Sequence, residues 1–138
     1  MATAILYYSL SGKTKAEAEK TAAETGADLF EICEVKKRNG FTAFFPGVFQ
    51  AGGLKRTAIK PLGTDLAAYD EIVIMGPIWA GNPAPAVNSV IDLLPEGKAV
   101  SLVCTSGRSG YDLSKTAAFI TARNCTVKET RCIGEVKK

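Results

Sequence analysis

The sequence predicts a single α/β domain built on a parallel sheet, and three observations carry that expectation. Apolar runs within Ala4–Tyr8, Glu71–Met75 and Lys98–Cys104 suit strands buried on both faces. Segments with helical spacing separate most of the strand-like runs, and glycine or proline marks their ends. At 138 residues the chain is long enough for one domain with a real core and short for two. Strands joined by helical crossovers form parallel sheets, because a tight turn cannot return the chain in the same direction.

In order, the first strand spans about Thr3 to Ser9, and a helix follows from Lys13 to Thr25, closed by Gly26. Lys13, Glu17, Lys20 and Glu24 give that helix a charged stripe, and Thr14, Ala18, Ala22 and Thr25 a stripe of small residues. Asp28–Val35 alternates and reads as the second strand. The third, Glu71–Met75, ends at Gly76-Pro77. Pro85 opens a helix with Val87, Val90, Ile91 and Leu94 at helical spacing. Lys98–Cys104 is the fourth strand. Asp112 caps a helix carrying Leu113, Ala117 and Ile120 on one side. Thr126–Ile133 is the last strand, polar enough at Lys128, Glu129 and Arg131 for a sheet edge.

Residues 36–64 break this rhythm. Phe41, Phe44, Phe45, Val48 and Phe49 have helical spacing interrupted by Pro46-Gly47, which predicts two short helical turns lying on the sheet. No acidic residue falls between Glu34 and Asp65, whereas Lys36, Lys37, Arg38, Lys55, Arg56 and Lys60 do. The segment is either an aromatic filler with solvated basic flanks or a basic docking edge for an acidic partner or a phosphorylated cosubstrate.

Composition removes several functional classes. The chain has no histidine, so Ser-His, Cys-His and His-metal chemistry within it is excluded. Cys33, Cys104, Cys125 and Cys132 lack CxxC spacing and read as reduced thiols, mostly inside strands. No apolar run is long enough to cross a bilayer and no basic segment precedes an apolar stretch at the N-terminus, so the expected location is the cytoplasm. Neither a membrane nor a nucleic acid is expected as a partner.

Three connections are chemically unusual. The first is Ser9-Leu10-Ser11-Gly12-Lys13-Thr14, a hydroxyl-rich turn at a helix start. Unpaired amides and the positive end of the helix dipole suit such a start to an anion. An ordinary turn with a serine cap is the competing reading. Gly12-Lys13-Thr14 matches the tail of a Walker A loop, but that motif requires glycine where this chain has Tyr7, which argues against it. The second is Gly76-Pro77-Ile78-Trp79-Ala80-Gly81-Asn82-Pro83-Ala84-Pro85, a stiff loop that carries the lone tryptophan. The third is Thr105-Ser106-Gly107-Arg108-Ser109-Gly110-Tyr111. In a doubly wound sheet of order 2-1-3-4-5 these three loops converge at the switch point, where ligands bind. An anion loop beside an aromatic loop calls for a ligand with a phosphate tail and a flat ring.

These motifs resemble those of the flavodoxin superfamily, for which that strand order and FMN at the switch point are known properties. Ser9 to Thr14 is similar to the family's [ST]-x-[ST]-G-x-T phosphate loop, Gly76 to Ala86 to its first flavin loop, and Thr105 to Gly110 to the second in shorter members. The resemblance implies FMN as cofactor. It implies that Ser9, Leu10, Ser11, Gly12, Lys13 and Thr14 hold the phosphate, with Lys13 contributing mainly its backbone. Pro77, Ile78, Trp79, Ala80 and Gly81 would form the first flavin loop, with Trp79 against the ring and Ala80-Gly81 near N5. Thr105, Ser106, Gly107, Arg108 and Gly110 would serve the pyrimidine edge, with Tyr111 on the other ring face.

Two features depart from the electron-carrying members. Those are usually acidic, whereas this chain has a net charge of +3. It also stops at Lys138, just after the fifth strand, so the expected fold lacks the family's final helix. One face of the third and fourth strands would then lie bare and a homodimer would cover it. Three functions follow from the resemblance: an electron carrier between redox partner proteins, an oxidoreductase taking hydride from NAD(P)H to a quinone-type acceptor, or a binding module without redox turnover.

Overall fold

The computed structural model describes residues 2–9, 12–35, 57–79, 82–106 and 112–134. Five parallel strands are β1 (Thr3–Tyr7), β2 (Asp28–Glu31), β3 (Glu71–Trp79), β5 (Ala99–Ser106) and β6 (Thr126–Gly134). A two-residue strand β4 (Asn82–Pro83) lies antiparallel to the end of β3. The sheet order is β2-β1-β3-β5-β6, which is 2-1-3-4-5 when the parallel strands alone are counted. Helix α1 (Lys13–Thr25) covers one face, while α2 (Pro85–Ile91) and α3 (Ser114–Ala122) contribute to the core on the other.

The local signals act as expected in α1. Gly26 adopts φ 73°, and its N–H donates to Ala22 O at 2.8 Å, the left-handed stop that glycine makes cheap. Asp112 supports α3 from two residues ahead of it, its Oδ1 accepting from Ser114 N at 2.9 Å, although Leu113 holds the N-cap position.

β1 ends at Tyr7, two residues short of the sequence expectation, and the ends of β2, β3 and β5 differ from it as well. The β2 run leaves β1 after Ile32, whose N–H donates to Tyr7 O at 2.6 Å, and changes partner: Val35 N donates to Ala58 O, Lys60 N donates to Cys33 O, and Glu34 bridges Ile59 antiparallel. β3 does not stop at Gly76-Pro77. Its pairing with β1 ends at Met75, so no β1 partner requires the amide that Pro77 lacks, and the Pro77 carbonyl accepts from Ala84 N at 3.0 Å. β5 likewise extends through Thr105 and Ser106, which the sequence reading put in a loop.

Cys104 and Cys132 sit in strands and face each other across β5 and β6, whereas Cys33 and Cys125 flank strands. The aromatic segment 36–56, and the helical turns expected there, lie outside the described residues. Among the described residues no helix follows β6. The bare face expected on β3 and β5 is narrower than anticipated: Met75, Ser101 and Val103 are buried and Val73 half-buried. A groove of about 360 Å³ remains between the C-terminal half of α1 and β6, and this groove is what a twofold partner would have to cover.

Candidate functional site

The C-terminal ends of β1, β3 and β5 lie side by side, and each leads into one of the three unusual connections. β1 and β3 stay bonded to the edge of the first, with Tyr8 N donating to Met75 O at 2.9 Å. The Tyr8 hydroxyl donates to the buried Glu34 carboxylate, tying the end of β1 to the segment after β2. Gly12 then takes φ 96° at the N-cap of α1, a conformation that disfavours other residues. Its N–H donates to Ser9 Oγ at 3.0 Å, closing the turn. The helical ladder starts with Ala16 N donating to Gly12 O, so positions 13–15 supply the first-turn amides. No acidic residue occupies that first helical turn to oppose an anion.

β3 supplies the second wall. Ile78 pairs with Pro83 and Trp79 with Asn82, which makes this connection a hairpin arm on a parallel strand. Gly76 anchors it from below: a Cβ there would stand 2.4 Å from Val87 Cγ2, so only glycine lets α2 approach this closely. The Trp79 backbone therefore lies four residues beyond the last β1 partner, at the switch point between β1 and β3.

The third wall is β5. Thr105 is no loop residue, and its side chain faces α1. Its Oγ1 lies 2.7 Å from Thr14 Oγ1, both groups being buried. This contact joins Thr105, which the resemblance assigns to the pyrimidine edge, to the first turn of α1. The preceding Cys104 is fully buried, and burial, with a smaller contribution from Cys132, pushes its thiol up to about 12. It stays neutral at ordinary pH and takes no thiolate role.

Of the residues the sequence singled out, Ser9, Pro77, Ile78, Trp79, Thr105 and Ser106 lie at or just after these three strand ends, and Gly12, Lys13 and Thr14 form the start of α1. Leu10, Ser11, Ala80, Gly81, Gly107, Arg108, Gly110 and Tyr111 lie outside the described residues. The β4 pairing was missed, although a glycine-containing dipeptide between Trp79 and Asn82 is a hairpin signal. Among the described residues no cluster of metal-ligating side chains occurs, and no helix is long and apolar enough to cross a membrane.

No family model matches the sequence, and no curated protein matches it in sequence. Solved structures do. A flavoprotein in complex with FMN from Lactobacillus acidophilus is 26% identical, with a TM-score of 0.80 over 95% of this chain and 92% of its own. A protein from Bacteroides eggerthii assigned as a flavoprotein is 25% identical, with a TM-score of 0.83 over 98% of this chain and 89% of its own. Flavodoxin 1 from Bacillus cereus shares the fold at 15% identity, with a TM-score of 0.56 over 100% of this chain and 87% of its own. Strand order and the likeness to the two flavoproteins together place the chain in the flavodoxin superfamily.

Proposed function

We propose that this chain binds FMN across the ends of β1, β3 and β5 and serves as an electron carrier. The observation that carries the reading is the juxtaposition of an acid-free helix start with the aromatic hairpin of β3 and the end of β5. The similarity to the FMN-bound Lactobacillus acidophilus flavoprotein supports it. The phosphate is taken by the Ser9–Thr14 turn, where first-turn amides and the Thr14 hydroxyl suit a dianion. The resemblance assigns Trp79 a flat apolar contact with the ring, and its backbone is paired at the end of β3. FMN supplies the redox chemistry when bound, while the protein binds, orients and shields it. This division agrees with a chain that has no histidine. The redox partner is a protein with an acidic surface, which a net charge of +3 favours.

The test is a fluorescence titration of the flavin-free chain with FMN and with riboflavin. FMN is expected to bind at least about tenfold more tightly, because charge-assisted bonds to the phosphate are lost in riboflavin. Ser11→Asp puts a like charge in the phosphate loop and is expected to abolish the difference. Equal affinities in the wild type would overturn the reading. Anaerobic addition of NADH or NADPH separates the roles: a carrier stays oxidised, and bleaching of the flavin would make the chain an NAD(P)H oxidoreductase.

A further inference from the structure

We propose that Thr105 is a positioning residue that orients the Thr14 hydroxyl toward the FMN phosphate and so helps the site distinguish FMN from riboflavin. The proposal rests on the FMN reading above and assigns Thr105 a role at the phosphate end, away from the ring edge.

The two hydroxyls lie 2.7 Å apart, with Thr14 only 2% and Thr105 only 7% exposed. Among the described residues each is the other's side-chain hydrogen-bond partner. A hydroxyl has one proton to donate and two lone pairs to accept with. If Thr14 donates to Thr105, its proton is spent and it has only lone pairs to offer an anion. If Thr105 donates instead, Thr14 accepts from β5 and keeps its own proton for a ligand at the start of α1. The second direction is the only one in which Thr14 donates to a phosphate. A bound phosphate therefore selects it, and Thr105 becomes the donor that holds Thr14 in that orientation. Burial adds force, because a buried hydroxyl that loses its partner keeps its desolvation cost.

Position in the sheet gives the contact a second consequence. Thr105 pairs with Pro77 on β3 and directly precedes Ser106 at the end of β5. The hydroxyl bond thus joins the helix of the phosphate loop to the two strands whose ends carry the ring-side connections. A methyl group in place of the hydroxyl preserves the shape and removes the donor. The Thr105→Val variant separates these two contributions.

The experiment compares FMN and riboflavin affinities in the wild type, Thr105→Val and Thr105→Ser. Thr105→Val is expected to weaken FMN about tenfold while leaving riboflavin unchanged, the size of effect a bond supporting a charged ligand has. Thr105→Ser, which keeps the hydroxyl, should restore FMN binding. Equal weakening of both flavins would assign Thr105 to packing or to the ring, and an unchanged FMN affinity would remove its role altogether. Either result overturns the proposal. A wild type with no preference for FMN would instead overturn the phosphate reading, so the two failures are distinguishable. A measurement independent of the variants uses threonine methyl NMR on the flavin-free chain titrated with inorganic phosphate. The Thr105 and Thr14 signals should move together, and movement of Thr14 alone would overturn the coupling.

Discussion

The two faces of the sheet are built on different scales. On the face of α2 and α3, Leu6, Ile72, Ile74 and Leu102 meet Val87, Val90, Ile91 and Ile120, all fully buried. On the face of α1 the core is Ile5, Tyr7, Met75 and Val103 under Ala18. The buried residues of α1 are Thr14 and Ala18. A helix with such small side chains lets its backbone approach the sheet, but it buries little apolar area, so each polar contact counts for more. The large core supplies stability, and the small one holds a helix start within reach of β5. The Thr14–Thr105 end of the candidate site belongs to the second, whereas Gly76 ties the β3 end to the first.

The largest expected effect tests that division directly. Leu102→Ala empties a buried site on the heavy face and should cost about 2–5 kcal/mol. Denaturant unfolding measures the loss. The folded variant should bind FMN as the wild type does, and a parallel fall in affinity would break the division between the faces.

Gly76→Ala sharpens the same division, because it touches the heavy face directly below the aromatic hairpin. Its Cβ would press on Val87, whose β-branched side chain has little rotamer freedom to escape. The expected cost is about 1–3 kcal/mol, accompanied by weaker FMN binding as the end of β3 shifts. Adding Val87→Ala to Gly76→Ala should recover part of both losses, and purely additive losses would rule out the clash.

The smallest effect lies at α3. Hydrogen bonds from Ser114, the backbone amide first, hold the Asp112 carboxyl below its ordinary pKa. A depressed folded-state pKa contributes stability above the ordinary carboxylate range, and that contribution is lost as pH falls through the folded value. Asp112→Ala should therefore lower Tm slightly at neutral pH, with the two curves converging in acid. This exposed end of the heavy face should leave FMN affinity unchanged, and a measurable loss would extend the site to α3.

Much of this architecture was legible because its signals are local. Gly26 stops α1 by its own backbone freedom, and the buried runs of β1, β3 and β5 announce strands covered on both sides. The three connections stood out because serine, glycine and proline act through their own dihedral angles and donors. The sequence by itself therefore determined the α/β class and the helix start at Gly12, and it singled out the connections on which the candidate site is built. What remained depended on neighbours that the chain brings together from afar. Pro77 remains in a strand because β1 has already ended beside it, and the β2 run changes partner because residues 58–60 arrive next to it. Thr105 reads as one more hydroxyl in a polar loop until the fold sets it against Thr14, 91 positions away. Tertiary structure decided these points because a hydrogen bond depends on what stands within about 3 Å of a group, whatever the distance along the chain.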